Sequence, residues 1–364
     1  MEREVYLLLE NGRVFKGKGF GAAGEVTGEL VFTTGMTGYL ETLTDPSYYG
    51  QIVVHTFPLI GNYGIIPADF ESGGPHVRAY IVRQWCEHPS NFRCERTLDQ
   101  YLQEKGVIGM YDLDTRELTK LIREHGVMNA RISTSPYMEE ALQSELRAYR
   151  VTDAVSHVTC REAYQSAPAG VNTKRVVLWD FGAKRNIERE LMKRGCRVIT
   201  VPADTKAEQI KAWKPHGIML SNGPGDPADN PGIIQELAKL LDQKIPTFGI
   251  CLGHQLLALA KGAATSKLKY GHRGANQPVK DLSTGRVYIT SQNHGYAVDS
   301  ASLPACAKES FVNVNDGTCE GVRYEDIPAF SVQFHPEACG GPRDTEYLFN
   351  DFMQLMERGQ SICH

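Results

Sequence analysis

The hydrophobic pattern changes character partway along the chain. Up to about residue 60, short apolar runs alternate with glycine-rich turns. Residues 6–9 end at the hairpin-type pair Asn11-Gly12, and residues 13–15 run into Gly17, Gly19 and Gly21. Residues 29–34 and 52–57 follow, the last closed by Pro58. Such runs predict β-strands joined by turns. Residues 97–150 read as more helical. Thr97 is placed to cap a helix over 98–102, residues 115–122 set apolar side chains at helical spacing behind a capping pattern, and 137–149 form a further amphipathic stretch. The predicted first half is an α+β unit.

Around residues 164–174 small residues, proline and glycine mark a linker, with the boundary near Gly170. This divides the chain into a first domain over 1–165, a linker over 166–173 and a second domain over 174–360. In the second, strand, loop and helix repeat. Strands at 175–179, 197–201, 217–220 and 245–250 are each followed by a helical stretch, at 186–194, 207–213, 232–241 and 256–260. Continuous apolar strands alternating with helices predict an α/β fold, a mainly parallel sheet with helices on both faces. Ligands bind such sheets at the carboxyl ends of the strands. Shorter strands at 287–290, 321–323 and 329–334 and a closing helix over 345–358 complete the reading.

One of those carboxyl ends carries Gly249-Ile250-Cys251-Leu252-Gly253-His254-Gln255. A cysteine between small residues at a strand-to-helix turn has the form of a nucleophile elbow, with sulfur in place of oxygen. The glycines remove Cβ atoms that would clash with backbone or block a substrate. The helix that starts there turns its free N–H groups toward the sulfur, which favours a thiolate.

A thiolate nucleophile needs a base and a group that orients the base. His335 and Glu337 stand two apart at a strand end, where alternate residues face the same side. His254 is the other candidate base, but three residues along the helix its side chain faces the sheet or the helix surface, so a structural role is expected. Gly223 and Gly225, in the loop Ser221-Asn222-Gly223-Pro224-Gly225-Asp226-Pro227, fit an oxyanion hole with the Leu252 N–H. That loop is not a phosphate loop, since no Gly-Lys-Ser/Thr follows. A polar loop over residues 292–296 offers contacts to a small polar substrate. Together these residues imply acyl transfer through a thioester. A protease, a thioesterase and an amidase all remain open.

Composition narrows the class. The chain has 364 residues and a net charge of −4, with no run of like charges. Nucleic acid and anionic membranes are therefore poor candidates for partners. The charged start, Met1 to Val5, is not a signal peptide, and no stretch approaches the ~18 apolar residues of a membrane span. The nine cysteines form no Cys-x-x-Cys pair and no Cys/His zinc spacing. They read as reduced thiols of a cytoplasmic protein, with no metal site.

The motifs Gly-Ile-Cys-Leu-Gly-His-Gln, Ser-Asn-Gly-Pro-Gly-Asp-Pro and Phe-His-Pro-Glu, in this order, resemble the class I glutamine amidotransferases. The first half is similar to the amino-terminal domain of carbamoyl-phosphate synthase small chains, through residues 32–39, 44–48, 61–64 and 114–116, as is Asp180-Phe181-Gly182-Ala183-Lys184 in the second. The resemblance spans nearly the whole chain. It implies that Cys251 attacks the glutamine side-chain amide, that His335 serves as base and acid and that Glu337 orients it. Gly223 and Leu252 would line the oxyanion hole. Ser47, Gly225, Gln255, Asn293, Gly295 and Tyr296 would hold the glutamine, although Ser47 taken alone is an ordinary loop serine. The ammonia would pass to a large ATP-grasp partner chain in a small–large heterodimer that can assemble further. ATP, Mg2+ or Mn2+, and K+ would bind to that partner, with no cofactor on this chain. An amidotransferase chain for another acceptor, and a scaffold with a vestigial site, are the competing expectations. Two departures from the family pattern stand out: Tyr296, where phenylalanine is also common, and Ala338-Cys339-Gly340-Gly341-Pro342 after the acid. Cys339 is expected to be inert.

Overall fold

The computed structural model describes residues 3–168, 170 and 174–360. It divides into two compact units, Met1–Thr152 and Asp153–His364. The strands of the first are β1 (Arg3–Leu9), β2 (Val14–Gly21), β3 (Val26–Thr33), β4 (Gln51–Ile60), β5 (Ala79–Trp85), β6 (Ile108–Tyr111) and β7 (Met128–Ser133). They close into a barrel in the order β1-β2-β6-β5-β4-β3-β7. Closure is made by β7, which lies antiparallel to both β1 and β3, pairing Ser133 with Tyr6 and Ile132 with Val26. A closed barrel leaves no unpaired sheet edge.

Helices α1 (Tyr39–Thr44), α2 (Leu98–Glu104), α3 (Thr115–His125) and α4 (Glu140–Ala148) complete this unit. The expected cap at Thr97 is present: its side chain accepts from the Gln100 N–H, and Gln100 returns the bond to the Thr97 N–H. Two strands fall inside the region read as helical. β6 is only four residues long, between two helices. β7 buries Met128, Ala130 and Ile132 in alternation with partly exposed Asn129 and Arg131. Runs this short give little periodicity, and their strand state is decided by the neighbours that complete the barrel.

The second unit contains helix α5 (Ala154–Val158), strands β8 (Tyr164–Ser166), β9 (Lys174–Asp180), β10 (Cys196–Pro202), β11 (Gly217–Leu220) and β12 (Thr247–Ile250), and helices α6 (Arg185–Lys193), α7 (Ala207–Ala212), α8 (Pro231–Leu241) and α9 (Leu252–Ala260). Strands β13 (Thr265–Asp281), β14 (Val287–Val298), β15 (Ala307–Asn313), β16 (Cys319–Tyr324) and β17 (Ala329–Val332) follow, and α10 (Tyr347–Gln360) closes the unit. All ten strands form one sheet, in the order β14-β13-β15-β16-β17-β12-β11-β9-β10-β8. The strands from β10 to β17 in that order pair in parallel.

Alternate residues of one strand serve opposite faces. Val176 and Leu178 of β9 pack with Ile187 and Leu191 of α6 and Phe349, Phe352 and Met356 of α10. Val177 and Trp179 of the same strand pack with Leu237 and Leu240 of α8 and Leu256 and Leu257 of α9. The expected covering of the sheet by helices on both faces is therefore present.

Two sequence expectations are corrected here. Residues 153–165, assigned to the first domain, pack in the second unit. Val155 joins the core around Trp179, the Thr159 hydroxyl donates to the Asp180 carbonyl at 2.6 Å, and β8 pairs antiparallel with β10. Burial and backbone pairing set this edge, which the composition of the following linker does not mark. Within the linker itself, residues 169 and 171–173 lie outside the described residues. The second correction concerns residues 292–296, expected as a loop. They continue β14, opposite β13, with Asn293 facing Arg273 and His294 facing His272. Polar residues paired with polar residues across a two-stranded ribbon give no apolar alternation, so the strand is invisible to a hydrophobicity pattern. Among the described residues no helix is long and apolar enough to cross a membrane.

Candidate active site

The site grows from the turn between β12 and α9. Cys251 has φ 54° and ψ −104°, a conformation a side-chain-bearing residue rarely adopts. It is held there from two sides. Its N–H donates to the Val332 carbonyl of the neighbouring parallel strand at 2.9 Å, and its carbonyl accepts from the Gln255 N–H at 3.2 Å. The glycines on either side are required by close approach. A Cβ on Gly249 would stand 2.8 Å from the Gly253 carbonyl oxygen, and one on Gly253 would stand 2.4 Å from that of Leu220. The elbow expected from the sequence is thus present, and the thiol is almost completely buried.

His335 follows β17, which ends at Val332, earlier than expected. Its N–H donates to the Ser291 carbonyl of β14 at 2.9 Å. The Glu337 contact is made through a turn, in which the Ala338 N–H reaches the His335 carbonyl at 3.3 Å, and not by extended chain. The outcome is the pairing anticipated: His335 Nδ1 lies 2.7 Å from Glu337 Oε1, both side chains fully buried. Because a carboxylate only accepts, Nδ1 carries the proton, and Nε2 is the nitrogen available for chemistry. Nε2 is buried with no hydrogen-bond partner among the described residues.

Electrostatics distinguish this histidine. Burial and the nearby Lys184 cation both oppose its protonation, yet Glu337 and Cys251 outweigh them and raise its pKa to about 9. Burial also works against the Glu337 carboxylate, but His335 and Lys184 hold its pKa below the ordinary value. Lys184 Nζ stands 3.6 Å from Glu337 Oε1. Neither the type of this lysine nor its spacing along the chain marks it for that place. It reaches the acid because the loop after β9 is tied down. Asp180 Oδ1 accepts from the N–H groups of Gly182 and Ala183, and the Lys184 N–H donates to Asn222 Oδ1 at 3.0 Å.

The oxyanion-hole candidates come together. Gly223 lies against the loop after β9 and against Leu252: a Cβ there would meet the Phe181 oxygen at 2.3 Å and Leu252 Cδ2 at 2.7 Å. Among the described hydrogen bonds, none uses the N–H of Gly223 or of Leu252. Both amides, at the turns that meet at Leu252, have no acceptor among the described residues. Gly225 adopts φ +87°, with Ala154 beside it.

The β14 residues border the thiol. Cys251 Sγ lies 3.7 Å from the Asn293 carbonyl. Gln255 donates from Nε2 to the Tyr296 carbonyl at 2.7 Å and to Gln333 Oε1 at 2.9 Å, so it fastens α9 to β14. Gly295 lies against Arg273, and the Tyr296 ring faces the Lys267 ammonium. His254 is buried in the opposite direction, with Nδ1 2.8 Å from Ser331 Oγ, and burial lowers its pKa to about 3. The structural role expected for it fits. Cys339 is exposed, with Asn186 Nδ2 2.9 Å from its sulfur. Ser47 belongs to the first unit, in a short 3-10 turn over Pro46–Tyr48, where its N–H donates to Asp45 Oδ1.

A cysteine at an elbow, a histidine–glutamate pair facing it and two free amides beside it, on a parallel sheet, define a class I glutamine amidotransferase-type domain. The family models agree. That for class I glutamine amidotransferases matches residues 177–355, and that for the carbamoyl-phosphate synthase small-chain domain matches residues 7–132. A carbamoyl phosphate synthase small chain of Bacillus cereus is 53% identical over 362 residues, covering 98% of both chains. That of Clostridium perfringens is 53% identical over 96% of this chain and 98% of its own, and that of Listeria monocytogenes 52% identical over 96% of each. The chain belongs to the carbamoyl phosphate synthase small chain family.

Proposed function

We propose that this chain hydrolyses glutamine to glutamate and ammonia, as the glutamine-hydrolysing subunit of a carbamoyl-phosphate synthase. The observation that carries the reading is the strained Cys251 beside His335 and two uncommitted amide donors. Cys251 gives its thiol proton to His335 Nε2, and the resulting thiolate attacks the side-chain carboxamide carbon. The carbonyl oxygen takes up the negative charge and is met by the N–H groups of Gly223 and Leu252, each worth about 3–4 kcal/mol in such a role. His335 delivers its Nε2 proton to the departing nitrogen, and ammonia leaves a thioester on Cys251. His335 then takes a proton from water, the hydroxide adds to the thioester carbon, and glutamate departs as the thiol is restored.

Gln255, Asn293, Gly295 and Tyr296, with Gly225, are assigned to holding the glutamine. Ser47 is assigned to the same task on the family resemblance alone. The ammonia is passed to a large ATP-grasp chain, which binds ATP, Mg2+ or Mn2+, and K+ and supplies activated bicarbonate. A catalytic thiol that must stay reduced supports a cytoplasmic setting.

The test uses the assembled two-chain enzyme. Cys251→Ser should lower glutamine-dependent carbamoyl phosphate formation and glutamate release by at least about 10⁴-fold. Added ammonia should still support synthesis. Loss of both activities, or of neither, would overturn the assignment of Cys251 and with it the division of labour between the chains.

A further inference from the structure

Three buried side chains that the glutaminase chemistry does not use converge where β13, β14 and β16 meet. They are His272, His294 and Glu320, and one ring nitrogen of each histidine and a carboxylate oxygen all lie within 4.8 Å of one another. The sequence reading found no metal site because these residues stand far apart along the chain, at no zinc-type spacing.

The surroundings determine which atoms are free. His272 Nε2 is 2.8 Å from Asp316 Oδ2. That contact places a ring proton on Nε2, and in the neutral ring Nδ1 then carries the lone pair, 3.4 Å from Glu320 Oε1. His294 Nδ1 is 2.8 Å from the Tyr296 carbonyl, which can only accept. The His294 lone pair is therefore on Nε2. A histidine whose second nitrogen donates to a carboxylate or a backbone carbonyl is the usual form of a metal ligand. Both histidines here are held in that form.

The free atoms lack partners. His272 Nδ1 and Glu320 Oε2 are buried with no hydrogen-bond partner among the described residues, Glu320 being wholly inaccessible and His272 only 8% exposed. His294 Nε2 faces Gln292 Oε1 at 3.0 Å, so one acceptor meets another. Turning the Gln292 amide over would let its nitrogen donate to His294 Nε2 but moves the mismatch to Thr290. Its oxygen would then face Thr290 Oγ1, whose proton is already given to the Gln277 carbonyl. With both rings neutral the facing atoms are all acceptors, a set that a cation satisfies by accepting several lone pairs at once.

We infer that His272 Nδ1, His294 Nε2 and the Glu320 carboxylate form a site for a divalent transition-metal ion of the zinc class. Two imidazoles and one carboxylate are a donor set that suits such ions and not Ca2+ or Mg2+, which take oxygen ligands. Asn313 Nδ2, 3.1 Å from Glu320 Oε1, holds the carboxylate in place. The ion has no part in the thioester chemistry. It ties three strands together, and β14 carries Asn293 and Tyr296, which border Cys251 and Gln255. The site is a structural clamp beside the glutamine-binding strand.

The test is metal binding by the full-length chain after chelator treatment, with Zn2+ and Co2+ as probes. One equivalent of Zn2+ is expected to bind, and Glu320→Gln should weaken it by at least about 100-fold. Bound Co2+ should show ligand-field bands without a sulfur-to-metal charge-transfer band, which separates this site from the cysteines. Zn2+ should raise the Tm of the wild type and leave that of E320Q unchanged. If E320Q does not fold, the wild type still decides: Zn2+ should shift the imidazole ¹⁵N resonances of His272 and His294 and no others. Absence of stoichiometric binding, a Co2+ spectrum dominated by thiolate, or ¹⁵N shifts elsewhere would each overturn the site.

Discussion

Two buried histidines in the second unit have opposite fates. His335, in the turn after β17, has a buried carboxylate on one nitrogen and Cys251 near the other. His254, on α9, has a neutral hydroxyl on one nitrogen and, among the described residues, no partner on the other. Burial disfavours the charged ring in both. In the first it is outweighed by Glu337 and Cys251, and the pKa rises to about 9. In the second it is unopposed, and the pKa falls to about 3. Depth of burial alone therefore does not set the charge of a buried histidine; the charge of the partner does.

The sharpest way to break this contrast is to neutralise that partner. Glu337→Gln removes the charge that supports the His335 imidazolium and leaves Lys184 opposing it. We expect glutamine hydrolysis to fall on the order of 10²- to 10⁴-fold, and the pKa of His335, followed by NMR, to drop below that of the wild type. A variant with near-normal hydrolysis would remove Glu337 from the mechanism.

Stability against pH tests both histidines at once. His335, with its folded pKa raised from 6.5 to about 9, contributes stability that is fully present below pH 6.5 and is lost as pH rises toward 9. The size is about 3 kcal/mol, at ~1.4 kcal/mol per pKa unit. His254, with its folded pKa depressed, has the reverse sign: the folded state is favoured above pH 6.5 and loses stability as pH falls toward 3. His254→Gln should therefore flatten the acid limb of denaturant-midpoint curves between pH 6.5 and 3. An unchanged limb would mean that His254 is protonated in the folded chain.

The smallest expected effect comes from Ser331→Ala, which removes the single hydrogen bond of His254. A loss of about 1–3 kcal/mol in unfolding free energy is expected, with kcat for glutamine hydrolysis unaltered. A change in kcat of the size seen for E337Q would place His254 in the chemistry.

Much of the site was legible in the sequence because it is built from local constraints. The Gly249–Cys251–Gly253 spacing encodes an elbow that only residues without Cβ permit, and the buried apolar runs before each loop encode a parallel sheet. His335 and Glu337 are two residues apart, so their pairing was anticipated, although a turn and not extended chain makes it. What was not legible depends on neighbours. β6 and β7 are strands because a barrel is waiting to be closed, and 292–296 is a strand because β13 offers it polar partners.

By itself, then, the sequence determined the elbow at Cys251, the pairing of His335 with Glu337, and the wrapping of the sheet by helices. Each of these is carried by residues close together in the chain, where covalent geometry limits what can happen. The tertiary structure alone decided that Lys184 stands beside Glu337, that residues 153–166 belong to the second unit, and that His272, His294 and Glu320 share one buried point. Those are meetings of distant segments. They follow from how strands order and register within a sheet, and no spacing along the chain records them.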